Sequence, residues 1–337
     1  MTSSLSSITR TLPTPCGPLS TAVIDALSGD PSTSWELPAV SQSGWDAQAY
    51  GKDLQLALYV CYELHYRGFT DVDDEWEWNL DLLRFRAQLE QVFMGALRSE
   101  IEPGADATAE IEALSIEPGD GDGPSYHLRD EGTWEQMRET FVHRSIYHLK
   151  EADPHAFAIP RLTGQAKASF VAVEFDEFGG GKGENLHQQL FADLLVAAGL
   201  DSGYLAYVDH VPGEALALVN LMSMFGLHRS LRGATIGHFA ATEITSSPGS
   251  RRLMQALQRF DAPEECIRFY REHVEADAVH EQVMRHEVVG DLLAREPELE
   301  SDVVFGIRAF GHLEDKLADL LMASWRAGKS SLLVPID

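Results

Sequence analysis

Three side chains between Arg271 and His280 have the types and spacing of metal ligands: His273, Asp277 and His280 stand at i, i+4 and i+7. On a helix turning 100° per residue they fall within roughly 60° of one another along about 10 Å of axis. Two imidazoles and a carboxylate on one stripe form a donor set for iron, manganese or zinc, and a neighbouring apolar stripe should turn them inward. The competing reading is a solvated helix face that happens to carry two histidines. What separates the two lies upstream.

Glu184-Asn-Leu-His187 is a Glu-x-x-His pair, whose side chains neighbour each other on a helix as they do in carboxylate-bridged di-iron bundles. Ahead of it Glu174, Asp176 and Glu177 stand close to Gly179-Gly180-Gly181, a break that either unwinds a helix beside a site or joins an ordinary helix end to a loop. The run is not a phosphate loop, because Lys182 is followed by Gly183 rather than Ser or Thr. Glu243 closes Gly233-Ala-Thr-Ile-Gly-His-Phe-Ala-Ala-Thr-Glu243, which holds no other formal charge. A carboxylate buried in such surroundings costs several kcal/mol unless it is paired or ligates a metal, so Glu243 reads as a ligand. His238, five residues earlier, faces elsewhere and reads as a core or supporting group. Spacing alone does not choose among Glu151, Asp153 and His155 in Lys150-Glu-Ala-Asp-Pro-His155. Glu63 and His65, two apart, cannot share a helix face, and His228 and His286 are isolated; all four read as structural.

The elements that must position these groups are helices. Apolar residues recur at helical spacing over 44–69 and 74–99, which predicts a helical hairpin. An acidic stretch with Pro103-Gly104, Pro118-Gly119 and Asp122-Gly123 then reads as a linker. Further helices are expected over 133–151, capped by Thr133 and stopped by Asp153-Pro154, then 166–178, 184–198, 214–227, 231–244, 251–260, 264–293 and 302–327. Only 171–173 and 331–335 look β-like. The expected fold class is all-α, a helical bundle with an N-terminal helical extension. Its divisions are a loosely packed tail over 1–43, the hairpin and acidic linker over 44–125, and the metal-binding bundle over 126–337.

Composition sets the outer bounds. Asp and Glu outnumber Lys and Arg 53 to 26 in 337 residues, a net charge of −27 that disfavours nucleic acid and anionic membranes as partners. No apolar run approaches the ~20 residues of a membrane span, and the Ser/Thr/Pro-rich N-terminal stretch lacks the apolar segment of a secretory signal. Cys16, Cys61 and Cys266 show no Cys-x-x-Cys spacing, which argues against disulfides and for a reducing cytoplasm.

Taken together, the blocks are similar to the haem-oxygenase-like di-iron oxidases, in the branch described as iron-containing redox enzymes. The resemblance rests on Lys150-Glu-Ala-Asp-Pro-His155, Asp176-Glu-Phe-Gly-Gly-Gly181, Arg229-Ser-Leu-Arg-Gly-Ala234 and Glu272-His-Val-Glu-Ala-Asp-Ala-Val-His-Glu281, in order, and extends to Leu64-His-Tyr-Arg-Gly68. It covers the chain from about residue 134 to the end. Position by position it implies that Glu151, Glu177, His187, Glu243, His273, Asp277 and His280 bind two Fe(II), with Glu184 as an additional carboxylate. It further implies reaction with O₂ and oxidation of a small organic substrate, by N-oxygenation, desaturation or C–C cleavage of an amine, amino acid or acid. Haem oxygenase itself, on the same fold, would need one proximal histidine and would leave these carboxylates unexplained. The alternative from another class is a metal-binding or structural helical protein without oxidase activity. The hairpin's aromatics (Trp76, Trp78, Phe85, Phe93) exceed what its own contact can hide; they must pack on the bundle or on a second chain, and the resemblance favours a homodimer.

Overall fold

The computed structural model describes residues 10–33, 35, 49–116 and 121–336, except the side chains of 277 and 278. Helices α1 (Pro18–Leu27), α2 (Lys52–Glu63), α3 (Leu80–Glu100), α4 (Ala107–Leu114) and α5 (Pro124–Asp130) come first. They are followed by α6 (Trp134–His148), α7 (Asp153–Ala156), α8 (Gly164–Glu177), α9 (His187–Ala197) and α10 (Gly213–Leu227). The chain closes with α11 (Arg232–Arg259), α12 (Glu264–Gln282), α13 (Gly290–Arg295) and α14 (Glu300–Arg326). The fold is all-α, as the periodicity implies, and the described residues contain no strand.

Local chemistry explains most boundaries. Thr133 caps α6 in a reciprocal box with Gln136, and Asn79 accepts from the backbone N–H groups of Asp81 and Leu82 at the start of α3. Helix α10 carries a single charged residue, Glu214, and is buried almost all round, so it forms the centre against which α2, α7, α11 and α14 pack. Where α11 crosses α14, a Cβ on Gly237 would meet the Val303 carbonyl and one on Gly306 the Ala234 carbonyl. Only glycine permits this backbone approach.

Several expectations need correction. The first 43 residues are not all loose tail: α1 buries Val23 and Leu27 against α2, and Asp53 of α2 accepts from the N–H groups of Leu19 and Ser20. The segment 74–78 is a 3₁₀ turn ahead of α3, and Asp153-Pro154 starts α7 rather than merely ending α6, since proline is at home in a first turn. The helices expected over 231–244 and 251–260 are one, α11 (Arg232–Arg259), which runs through Pro248, where packing against α12 and α14 outweighs the lost N–H. The helix expected over 264–293 becomes α12, a π-helical stretch over Val283–Val289, and α13. The β-like run 171–173 lies inside α8. Trp76, Phe85 and Phe93 are buried within the chain; Trp78 alone of the four is exposed.

Candidate metal centre

The site draws on five chain segments, three of which end or begin at it. Glu151 lies in the turn after α6, and Glu177 is the last residue of α8. Gly179 follows with φ of 70°, and a Cβ there would stand 2.6 Å from the backbone of Asn185 and Leu186. The glycine therefore lets the chain double back and set His187, the first residue of α9, beside Glu177. Glu243 comes from the middle of α11, and His273 and His280 from two turns of α12 that face it.

The donors gather into two buried groups: Glu151, Glu177, His187 and His273 in one, Glu177, Glu243 and His280 in the other. Within each, one donor atom per residue lies within 4.8 Å of all the others. Glu177 belongs to both. Its Oε2 lies 2.8 Å from His187 Nδ1 without the alignment of a hydrogen bond, and its Oε1 lies 3.5 Å from His280 Nδ1. His280 Nδ1 is 3.0 Å from Glu243 Oε2, and His273 Nε2 is 3.6 Å from Glu151 Oε1. Close approaches between lone-pair donors, with Glu151 Oε2 buried and lacking a hydrogen-bond partner among the described residues, fit a cation better than a closed hydrogen-bond network.

Neighbouring groups orient these donors. His273 Nδ1 donates to the Phe269 carbonyl at 2.8 Å, which fixes the tautomer and leaves Nε2 to face Glu151. His148 Nδ1 lies 2.8 Å from Glu151 Oε1. Burial works to raise the Glu151 carboxyl, but the His148 and His273 imidazoles outweigh it and hold the carboxylate well below its ordinary range. Glu174, one turn before Glu177 on α8, behaves oppositely. Both of its oxygens are buried and have no partner among the described residues, and burial, reinforced by the charges of Glu177 and Glu243, pushes its carboxyl well above the usual range.

Of the residues singled out in the sequence, Glu151, Glu177, His187, Glu243, His273 and His280 come together, while the side chain of Asp277 lies outside those described. Glu184 does not join them. It is exposed on the 3₁₀ turn Gly183–Asn185, and α9 starts only at His187, so the helical spacing assumed for the pair does not exist. Asp153 instead accepts from Gln188, His155 pairs with His238 at 3.2 Å in the core, and His228 contacts Glu90. Glu63 and His65 engage Lys150 and Glu77 respectively, and His286 is exposed. Glu174 and His148 were not assigned from the sequence. The i, i+3 spacing of Glu174 to Glu177 is the one signal that marks the first, whereas His148 shows its role only once the turn to Glu151 is formed.

The family model described as iron-containing redox enzyme matches residues 138–315, more than half of the chain, and the chain belongs to that family. Its all-α fold is in keeping with that membership. The chain is also 24% identical over 235 residues to the nitrosourea synthase of Streptomyces achromogenes subsp. streptozoticus, a match covering 67% of this chain and 50% of the relative. It thus spans about half the length of that protein.

Proposed function

We propose that this chain would hold two irons in its two donor groups, with Glu177 shared by both, and would use O₂ to oxidise a small organic substrate. The observation that carries the reading is the sharing of Glu177 between two buried donor groups. One carboxylate with an oxygen toward each group suits a bridging ligand, and the hard oxygen-rich set with imidazoles suits ferrous and ferric iron. Glu151, His187 and His273 would hold one iron; Glu243 and His280, with Asp277 from the same helix, the other. Bound iron would supply the electrons that activate O₂. The residues contribute placement: burial of the six described donors excludes bulk water, and the Phe269 carbonyl keeps His273 turned for binding.

The relative's name, synthase of a nitrosourea, supports nitrogen as the oxidised atom. N-oxygenation of an amine therefore heads the outcomes, ahead of desaturation or C–C cleavage of an acid. No helix among the described residues is long and apolar enough to cross a membrane, and the three cysteines are free, in keeping with a reducing cytoplasm. Oxygen-electrode measurements over amines, amino acids and fatty acids test the proposal. Iron-dependent uptake accelerated by one class is expected; no uptake at any iron loading would leave a metal-binding or structural protein.

A further inference from the structure

Resting on the two-iron reading, we propose that the buried Glu63–Lys150 ion pair positions Glu151, so that the end of α2 helps to build the metal centre. Lys150 is wholly buried, and its ammonium donates to Oε2 of Glu63, equally buried, at 3.0 Å. The Tyr204 hydroxyl reaches both oxygens of Glu63, at 2.8 and 2.9 Å. The ammonium also lies 4.4 Å from the ring centroids of Tyr59 and Tyr66. Desolvating two charges largely cancels their attraction, so such a pair adds little net stability. What it does impose is one geometry, since any shift of Lys150 would strand both charges.

The residue fixed next to it is Glu151. Its turn is closed by the Lys150 N–H to the Tyr147 carbonyl at 2.7 Å, but the Glu151 N–H itself reaches the His148 carbonyl only at 3.4 Å, and Ala152 carries φ of 67°, which a Cβ disfavours. Further restraint at Glu151 comes from outside the turn, and two tethers lead to the end of α2. One is Lys150 to Glu63. The other runs from Arg67, which donates to Gln188 Oε1 at 2.5 Å, through Gln188 Nε2, which donates to the Glu151 carbonyl at 3.0 Å and to Asp153 at 3.2 Å. Backbone and preceding side chain are thus held on one side while the Glu151 carboxylate faces His148 and His273 on the other.

The experiment compares iron binding by the whole protein and by Lys150→Met, with anaerobic Fe(II) as the probe. The iron held by Glu151, His187 and His273 should weaken by about tenfold or more, the usual effect of losing a supporting partner. The other iron should bind unchanged, so the count falls toward one per chain. Should Lys150→Met fail to fold, Glu63→Gln/Lys150→Met leaves neither charge buried alone, keeps the fold, and is expected to show the same selective loss. Two irons bound with unaltered affinity, or both weakened in step, would overturn the inference by showing a merely structural pair. A wild-type count below two would instead refute the two-iron reading, and this inference with it.

Discussion

Glu243 and Glu174 are both buried carboxyl groups near Glu177, yet replacing each with glutamine should have different consequences. Glu243→Gln should keep the fold, because a neutral amide is less costly to bury than a carboxylate, while iron binding weakens because an amide neither ligates iron well nor balances its charge. Thermal melts with and without iron check both halves; a large loss of apoprotein stability with iron affinity untouched would remove Glu243 from the site. Glu174 acts through its proton. Burial, then the charges of Glu177 and Glu243, raise its folded carboxyl well above the 4.5 of an unfolded chain. Above that pH the unfolded chain has released the proton while the folded one still holds it, so stability contributed by this group falls as pH rises. Glu174→Gln should therefore raise the melting temperature of iron-free protein more at about pH 7 than at about pH 5. Glu184→Gln, on an exposed turn, should leave the iron count unchanged by metal analysis. The contrast shows what was legible. The burial of Glu243 could be read from sequence, because the cost of burying charge makes a lone carboxylate in an apolar run conspicuous. Glu184 misleads because i, i+3 spacing means proximity only inside a helix, and the chain is still in a 3₁₀ turn there.

At the scale of elements, the α11–α14 crossing sets where Glu243 stands. Gly306→Ala would drive a methyl group into the Ala234 carbonyl, so urea unfolding should show a loss of about 1–3 kcal/mol or more, the cost of overpacking. Because α11 would have to move, iron binding should weaken as well. Gly311→Ala, on the same helix with open space at its Cβ, should be neutral or slightly stabilising and serves as the control. The existence of the helices follows from period-3.6 patterning, which is why the all-α class was readable. Their ends and joins depend on contacts far away in sequence. Pro248 is a breaker by local rules but is overridden by packing, and the π-helical stretch after α12 has no local signature in 283–289. The glycine break at 179–181 was visible as a break, but that it folds Glu177 onto His187 depends on the approach of Asn185 and Leu186.

Across the whole molecule, the N-terminal hairpin closes on its own bundle. Trp76 donates to the Gly29 carbonyl, Phe85 meets Trp35 edge-on, and α2 packs along α10. The aromatic excess that suggested a second chain is therefore hidden within one, except at Trp78. Light scattering at micromolar concentration should return 37.2 kDa; twice that mass would show that another surface carries a second copy. What remains central is that donors from α9, α11, α12 and the turn after α6 converge on Glu177. Anaerobic titration with Fe(II), followed by metal analysis of the desalted protein, tests this most directly. The account predicts about two irons per chain, with fewer after His280→Ala; a count of zero or one in the intact protein would contradict it.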